Sequence, residues 1–149
     1  MSFNPQEFLD SSITEANDTK ITPVPIGEYL GIIEKTEARQ WQSKDGTKTG
    51  IAVDVTWLVE DSAVKELLGR DVVTVRQGIM LDVLPSGALD MGAGKNVALG
   101  RLREAVGKNN PGDVFSFSQL NGLTAKIAVT HREHDGNQYA EVRSVAKFS

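Results

Sequence analysis

An aromatic ring set among basic residues is the feature of this sequence best suited to binding chemistry. Trp41 stands two residues after Arg39 and precedes Lys44 and Lys48, which flank the Asp-Gly pair of a tight turn. Nucleobases stack on aromatic faces for about 1–3 kcal/mol each, while basic side chains follow the phosphate backbone. This spacing predicts a surface for a single-stranded nucleic acid. The other tryptophan, Trp57, alternates in phase with apolar residues of its own segment, which predicts a place in the core.

Later segments add basic and aromatic residues to this candidate surface. Arg76 shares the predicted outer side of a strand with Val72 and Thr74, and alternation turns Lys126 and Arg132 away from an apolar face. The full set of candidate nucleic-acid-binding residues is Arg39, Trp41, Lys44, Lys48, Arg76, Lys95, Lys126, Arg132, Tyr139 and Arg143. An ordinary solvated sheet surface is the alternative interpretation of all of them.

The glycine-rich segment that ends in Lys95 and Asn96 is similar to a phosphate-binding loop only in part. A nucleotide-binding loop needs a glycine five residues before Gly94 and a Ser or Thr after the lysine. Leu89 and Asn96 occupy those positions, which argues against an NTPase. Two interpretations remain: Lys95 and the backbone N–H groups at a helix start hold one nucleic-acid phosphate, or Asn96 is an ordinary N-cap.

The remaining reactive residues favour no enzyme. The chain has no cysteine, which excludes disulfides, thiolate-bound metals and cysteine nucleophiles. His131 and His134 lie three residues apart in a predicted strand, so their rings point to opposite faces and do not converge on a metal. No Gly-x-Ser-x-Gly elbow is present. We therefore expect a non-enzymatic protein without cofactor or metal.

Length and charge restrict the class of protein further. A chain of 149 residues suffices for one domain, and no apolar run approaches the ~20 residues of a membrane span. The net charge of −4 conceals an asymmetry: residues 1–90 contain 8 Lys/Arg and 15 Asp/Glu, whereas residues 91–149 contain 8 and 5. We expect a cytoplasmic protein that does not associate with membranes. The asymmetry is either ordinary solvated surface or a locally positive face on the second half of the chain.

The pattern of elements predicts an all-β fold behind a flexible arm. Residues 1–26, acidic and proline-containing, form the predicted arm with a helical turn at 5–9, and residues 27–149 form the predicted domain. Strands are predicted at 28–42, 51–60, 70–84 (bent at Gly78), 123–132 and 138–148, with helices at 61–69 and 97–108. This order predicts an OB-fold, a five-stranded Greek-key barrel with one helix between strands three and four and an extra short helix between strands two and three. An SH3-like barrel is the competing fold, but it usually lacks a helix of this length at that point.

Several short motifs together resemble a known family. They are PVPIGEY at 23–29, DG at 45–46, GKNVALGRLREAVG at 94–107, LNGLTAK at 120–126, HR at 131–132 and DGNQY at 135–139. In this order they resemble a family of bacteriophage OB-fold proteins that bind single-stranded DNA.

The resemblance implies single-stranded DNA binding in phage DNA replication or recombination, in the cytoplasm of the infected bacterium. It also implies replication or recombination proteins as further partners and leaves open a homodimer. One departure is the end of the chain, VAKF at 145–148 followed by Ser149, where such proteins commonly carry an acidic tail. The acidic arm is the one candidate substitute, and the long segment 84–96 is either a DNA-clamping flap or a dimer contact.

Two other functions stay open on the sequence alone. One is a structural or protein-interaction OB module that binds no nucleic acid. The other, ranked lower, is a nuclease or other hydrolase accessory.

Overall fold

The computed structural model of this protein describes residues 2–19 and 22–148. Its helices are α1 (Pro5–Leu9), α2 (Ser62–Leu68) and α3 (Val97–Ala105), with a 3₁₀ turn at Phe117–Leu120. Its strands are β1 (Gly27–Gln42), β2 (Thr49–Val59), β3 (Thr74–Leu81), β4 (Thr124–His134) and β5 (Asn137–Ala146). Positions 1, 20 and 21 of the predicted arm, and position 149 of the predicted domain, lie outside the described residues.

The five strands form a closed barrel in the order β1-β2-β3-β5-β4, and β4 pairs with β1 to complete the ring. The pairs β1–β2, β2–β3, β4–β5 and β1–β4 are antiparallel, while β3 and β5 run parallel and meet at one bridge, Arg76 with Glu141. This is the five-stranded Greek-key barrel of an OB-fold. The predicted fold class is confirmed, including α3 between β3 and β4 and the extra helix α2 between β2 and β3.

The barrel interior follows the period of two read from the sequence. Val53, Val55, Trp57 and Val59 of β2 are buried, and their outward neighbours include Asp54 and the half-buried Leu58. Trp57 is fully buried, and its indole N–H donates to Gln77 Oε1 at 3.0 Å. That hydrogen bond satisfies the polar edge of the ring inside the core. The predicted core position of Trp57 is confirmed.

An irregularity in β1 decides which side chains face outward beyond it. Ile33 is opposite Trp57 and points inward, but the register with β2 shifts between Ile33 and Lys35. A bulge inserts one residue and re-aims every side chain that follows it. Arg39 is therefore opposite Ala52, on the outer face of the barrel, rather than inside.

The helices begin and end where their capping residues require. Asp61 accepts the N–H of Val64 at 3.0 Å at the start of α2, and Gly69 ends that helix with φ +65°. Asn96 occupies the N-cap position of α3, but its side chain makes no capping hydrogen bond. Instead its Oδ1 accepts from Asp82 N at 2.8 Å, and its Nδ2 donates to the carbonyl oxygens of Asp82 and Asp90 at 2.9 and 3.0 Å. Asn96 is thus the N-cap by position, as one interpretation of the sequence predicted, but its side chain does not cap the helix because these bonds to the segment after β3 occupy the amide.

The predicted third strand and the helix predicted at 97–108 are longer than the observed β3 and α3. Strand β3 covers eight residues and keeps an unbroken register with β2 through Gly78, so the longer, bent strand predicted at 70–84 is wrong. The segment 84–96 contains a small turn of its own, in which Leu84 N–H donates to Ala88 O at 2.7 Å and Val83 bridges to Leu89. Asn96 holds the far end of this turn segment against Asp82.

The arm contributes no side chain to the core over the part that the structure describes before Val24. Asn4 caps α1 through the N–H groups of Gln6 and Glu7, and no residue of α1 is buried. Packing begins at Val24, which is 4% exposed and whose carbonyl oxygen contacts His131 Nε2 at 2.7 Å. None of the helices within residues 2–19 and 22–148 is long and apolar enough to cross a membrane.

Candidate nucleic-acid interface

An open groove of about 590 Å³ crosses the outer face of the barrel where β3 meets β5. Four of the residues singled out in the sequence line it: Arg39, Arg76, Arg132 and Tyr139. They come from β1, β3, β4 and β5, so only the closed barrel brings them together. In OB-folds the face of strands two and three, with the loops beside it, often binds oligonucleotides or oligosaccharides, and Asp54 of β2 and residues 74–76 and 78 of β3 are part of this groove.

The strand pairing explains how these side chains meet. Thr56, Arg76, Glu141 and Thr130 form one row across β2, β3, β5 and β4. Arg132 and Tyr139 are paired opposite each other at the start of the β4–β5 hairpin, on the same outer face. The groove therefore extends from the middle of β2 toward the tip of this hairpin.

The groove is lined by more basic than acidic side chains. Arg39 Nε contacts Asp54 Oδ2 at 2.8 Å and Arg132 Nε contacts Glu141 Oε2 at 3.6 Å, which leaves Arg76 between the two ion pairs. Among the described residues Arg76 has no side-chain hydrogen bond or ion pair, and it is exposed. Both ion pairs are partly solvated, so each contributes little to stability. An incoming anion meets one free guanidinium flanked by two that are held in place.

Trp41 stands at the end of the same face, beyond Arg39 on β1. Its register partner is Gly50, and a Cβ atom placed on Gly50 would lie 2.5 Å from Nε1 and Cε2 of the indole and 2.6 Å from Cζ2. The Nε1 edge of the ring is thus seated on the bare backbone of Gly50. Trp41 is half-buried, and within the described residues its Nε1 is buried without a hydrogen-bond partner.

The β1–β2 turn next to Trp41 carries two free cations on a rigid frame. Asp45 accepts hydrogen bonds from the Ser43 hydroxyl at 2.6 Å, the Thr47 N–H at 3.0 Å and the Thr47 hydroxyl at 2.7 Å. These bonds, that of Ser43 first, lower the pKa of Asp45 to about 2. Lys44 and Lys48 are exposed on this turn, and neither has an ion-pair partner in the described part of the chain. The turn therefore presents lysines while its carboxylate is occupied in holding the backbone.

Three candidates lie away from the groove. Lys126 is six residues before Arg132 on β4, about 20 Å at strand spacing, and its Nζ contacts Glu28 Oε2 at 3.2 Å. Lys95 is exposed on the segment that leads into α3. Arg143 is exposed on β5 beside the shift of register between Ala128 and Val129. The structure thus brings four candidates together in the groove: Arg39, Arg76, Arg132 and Tyr139. Trp41 shares their outer face without lining the groove, Lys44 and Lys48 lie on the adjoining turn, and the other three candidates lie elsewhere.

Gly78 was not identified as a site residue from the sequence. It lies on the groove floor, opposite Asp54 on β2. A Cβ at Gly78 would meet only Asp54 Oδ1, at 3.5 Å, so the backbone tolerates a side chain there. The glycine keeps the groove open. Its place in the interior of a strand, where glycine is unfavourable, is the feature of the sequence that could have identified it as a site residue.

Neither a comparison with models of protein families nor a search of curated proteins finds a match to this chain.

Proposed function

We propose that this protein binds single-stranded DNA with little preference for base sequence, in phage DNA replication or recombination, and has no catalytic role. The observation that supports the proposal most directly is the juxtaposition of three arginines and Tyr139 in one groove on the outer face of an OB barrel. The phage setting and the host cytoplasm come from the sequence resemblance. Replication or recombination proteins, and a second copy of the chain, are the proposed protein partners.

The arrangement favours an unpaired strand over a duplex. Aromatic rings such as Trp41 and Tyr139 can stack only on bases that are free of a partner strand, while guanidinium groups follow the phosphates. The chain's net charge of −4 disfavours non-specific attraction to a duplex, so binding depends on the local field of the groove. Trp41 and Tyr139 would stack bases, and Arg39, Arg76, Arg132, Lys44 and Lys48 would contact phosphates.

Tryptophan emission during titration with oligo-dT tests the proposal directly. The chain has two tryptophans, and Trp57 is sealed in the core with its N–H bonded to Gln77, so it supplies a constant background. We expect quenching that disappears in Trp41→Phe. The log of the binding constant should fall with the log of salt concentration by about 0.7 per phosphate contact. No quenching and no gel shift at low salt would refute the proposal.

Arg76→Ala tests the groove with a charge-matched control. Arg76 has no protein partner among the described residues, so its removal should leave stability unchanged. At 0.1 M salt we expect about a fivefold loss of affinity, from a salt slope of about 0.7 per contact measured against 1 M. Lys65→Ala removes the same charge from α2, where Lys65 contacts Glu60 at 3.2 Å, and should leave binding unchanged. Equal effects of the two variants would contradict a role for the groove.

Gly78→Val tests the shape of the groove without altering any charge. Valine is favoured in strands, and a Cβ atom at Gly78 would make only an ordinary contact with Asp54. We therefore expect undiminished stability together with a marked loss of affinity, because the side chain fills the groove floor. Unchanged affinity would place the DNA elsewhere.

The described part of the arm favours a second candidate function, that of a protein-interaction module. Phe3, Phe8, Leu9 and Ile13 are between 66% and 80% exposed, and Phe3 and Phe8 contact each other with ring centroids 5.7 Å apart. Clusters of exposed apolar side chains commonly mark interaction sites. If this is the main function, we expect no gel shift with oligo-dT and a stable complex with a phage protein that is lost when residues 1–19 are deleted.

A further inference from the structure

Some cations on the described surface contact a carboxylate and others have no partner. Lys35, Arg39, Lys65, Lys126 and Arg132 each contact a carboxylate. Within residues 2–19 and 22–148, several other cations have neither an ion pair nor a side-chain hydrogen bond. A group of these, away from the groove, lies at β5 and α3: Lys95, Arg101, Arg143 and Lys147.

Strand β5 connects this group to the groove. Tyr139, Ala140 and Glu141 line the groove, Arg143 follows two residues later, and residues 145–147 line a second cleft of about 510 Å³ against α3. From Glu141 to Lys147 the chain advances about 20 Å at strand spacing. The unpartnered Arg143 lies on this stretch, two residues beyond Glu141.

Arg101 links the second cleft to a third one. It lines the cleft of about 510 Å³ together with Lys147, and a neighbouring cleft of about 370 Å³ together with Lys95. Glu104 is the one carboxylate among the residues that line these two clefts, and Arg103, which lines the third, is engaged by the Lys108 carbonyl oxygen and the Phe115 ring. The local balance is therefore strongly positive in a chain whose net charge is −4.

We propose that the DNA strand continues beyond the groove along β5 and across α3, with Arg143, Lys147, Arg101 and Lys95 as a second set of phosphate contacts. We call these four residues the α3 track. This inference rests on the proposed function and extends the same site. It implies a long footprint, toward the upper part of the roughly 4–16 nucleotides that OB folds occupy.

The length of the oligonucleotide separates the α3 track from the groove. An oligo-dT of about 5 nucleotides should be held by the groove alone, and one of about 15 should reach the α3 track. We expect the double variant Arg101→Ala/Lys147→Ala to bind the short oligonucleotide within about twofold of the wild type. For the long one it should lose about 25-fold at 0.1 M salt, and its salt slope should become less negative by about 1.4, from about 0.7 per contact.

Two further variants keep the test specific. Arg101→Lys/Lys147→Arg preserves both charges and should restore binding of the long oligonucleotide, and Lys65→Ala should affect neither length. Equal losses for short and long oligonucleotides, or no loss for either, would overturn the α3 track. If Arg76→Ala still weakens the short oligonucleotide, the proposed function stands without the track, whereas no binding by the wild type would remove both. One further result would overturn the α3 track: deleting residues 1–19 clearly raises the affinity of the wild type for the long oligonucleotide, while the double variant has no effect. This result would indicate that the acidic arm occupies the surface.

Discussion

Replacing Gly50 by alanine displaces the ring of Trp41, on which we propose that a base stacks, through a single methyl group. The new Cβ would lie 2.5 Å from Nε1 and Cε2 of the indole, and ordinary contact begins at 3.4 Å, so the ring must move by about 0.9 Å. Overpacking in a closed core costs about 1–3 kcal/mol. Trp41 is half-buried and can swing outward, so we expect a cost at the low end of that range. Gly50 does not have a positive φ, and no backbone strain adds to this figure.

The expected consequence for binding follows from the displaced ring. Stacking of a base on an aromatic ring is worth about 1–3 kcal/mol, so losing part of it should weaken oligo-dT binding by about fivefold or more. Before DNA is added, the exposed Nε1 should shift the tryptophan emission to longer wavelength. Trp57 remains sealed in the core and contributes no change.

Emission spectra, oligo-dT titration and urea unfolding are the measurements. Gly100→Ala is the control for emission and unfolding only, because Gly100 lines a cleft that the α3 track crosses. A Cβ at Gly100 meets nothing within 4 Å, and alanine should stabilise that helical position by about 0.5–1 kcal/mol. An emission shift with unchanged affinity would refute Trp41 as a stacking platform. Unchanged emission would refute the seating of its ring on Gly50.

Three further outcomes are expected. Asn96→Ala should lower the free energy of unfolding, measured in urea, by about 2–4 kcal/mol, because three hydrogen bonds are lost and alanine is strained at φ +53°. Asn96→Gly, which is free of that strain, should lose less. The pKa of Asp45 is lowered to about 2 in the folded chain, so the stability that its hydrogen bonds add is fully present above its ordinary pKa of 3.8 and is lost as the pH falls through about 2, where NMR of the Thr47 amide should show the change. Deleting residues 1–19 should leave the unfolding temperature unchanged since none of the described residues among them is buried, whereas Val24→Ala should cost about 2 kcal/mol.

Local patterns were sufficient to predict much of the fold. The alternation around Trp57 and the caps at Asp61 and Gly69 depend on neighbours within a few residues, and such signals are written directly in the sequence. The order of strands and helices then selected the OB barrel. The pairing of β3 with β5, which closes the barrel, followed from that choice of fold.

The candidate site could be predicted only in part, because its geometry depends on distant pairing. The faces of Arg39 and Trp41 are set by the shift of register between Ile33 and Lys35, which strict alternation does not reveal. The contact of Trp41 with Gly50 likewise requires the register of two strands. Lys126 resembles Arg132 in the sequence, yet the barrel places it beside Glu28 and away from the groove.

The parallel contact between β3 and β5, which lies under the groove, has a consequence for the stability of the barrel. Strands β3 and β5 share one bridge, Arg76 with Glu141, whereas the antiparallel pairs share long ladders of partners. A DNA strand bound across β3 and β5 would link the two strands that share the fewest backbone hydrogen bonds. Binding of DNA should then slow amide hydrogen exchange along β5 more than along β2. The bound ligand would in this way stabilise the weakest strand pairing of its own binding surface.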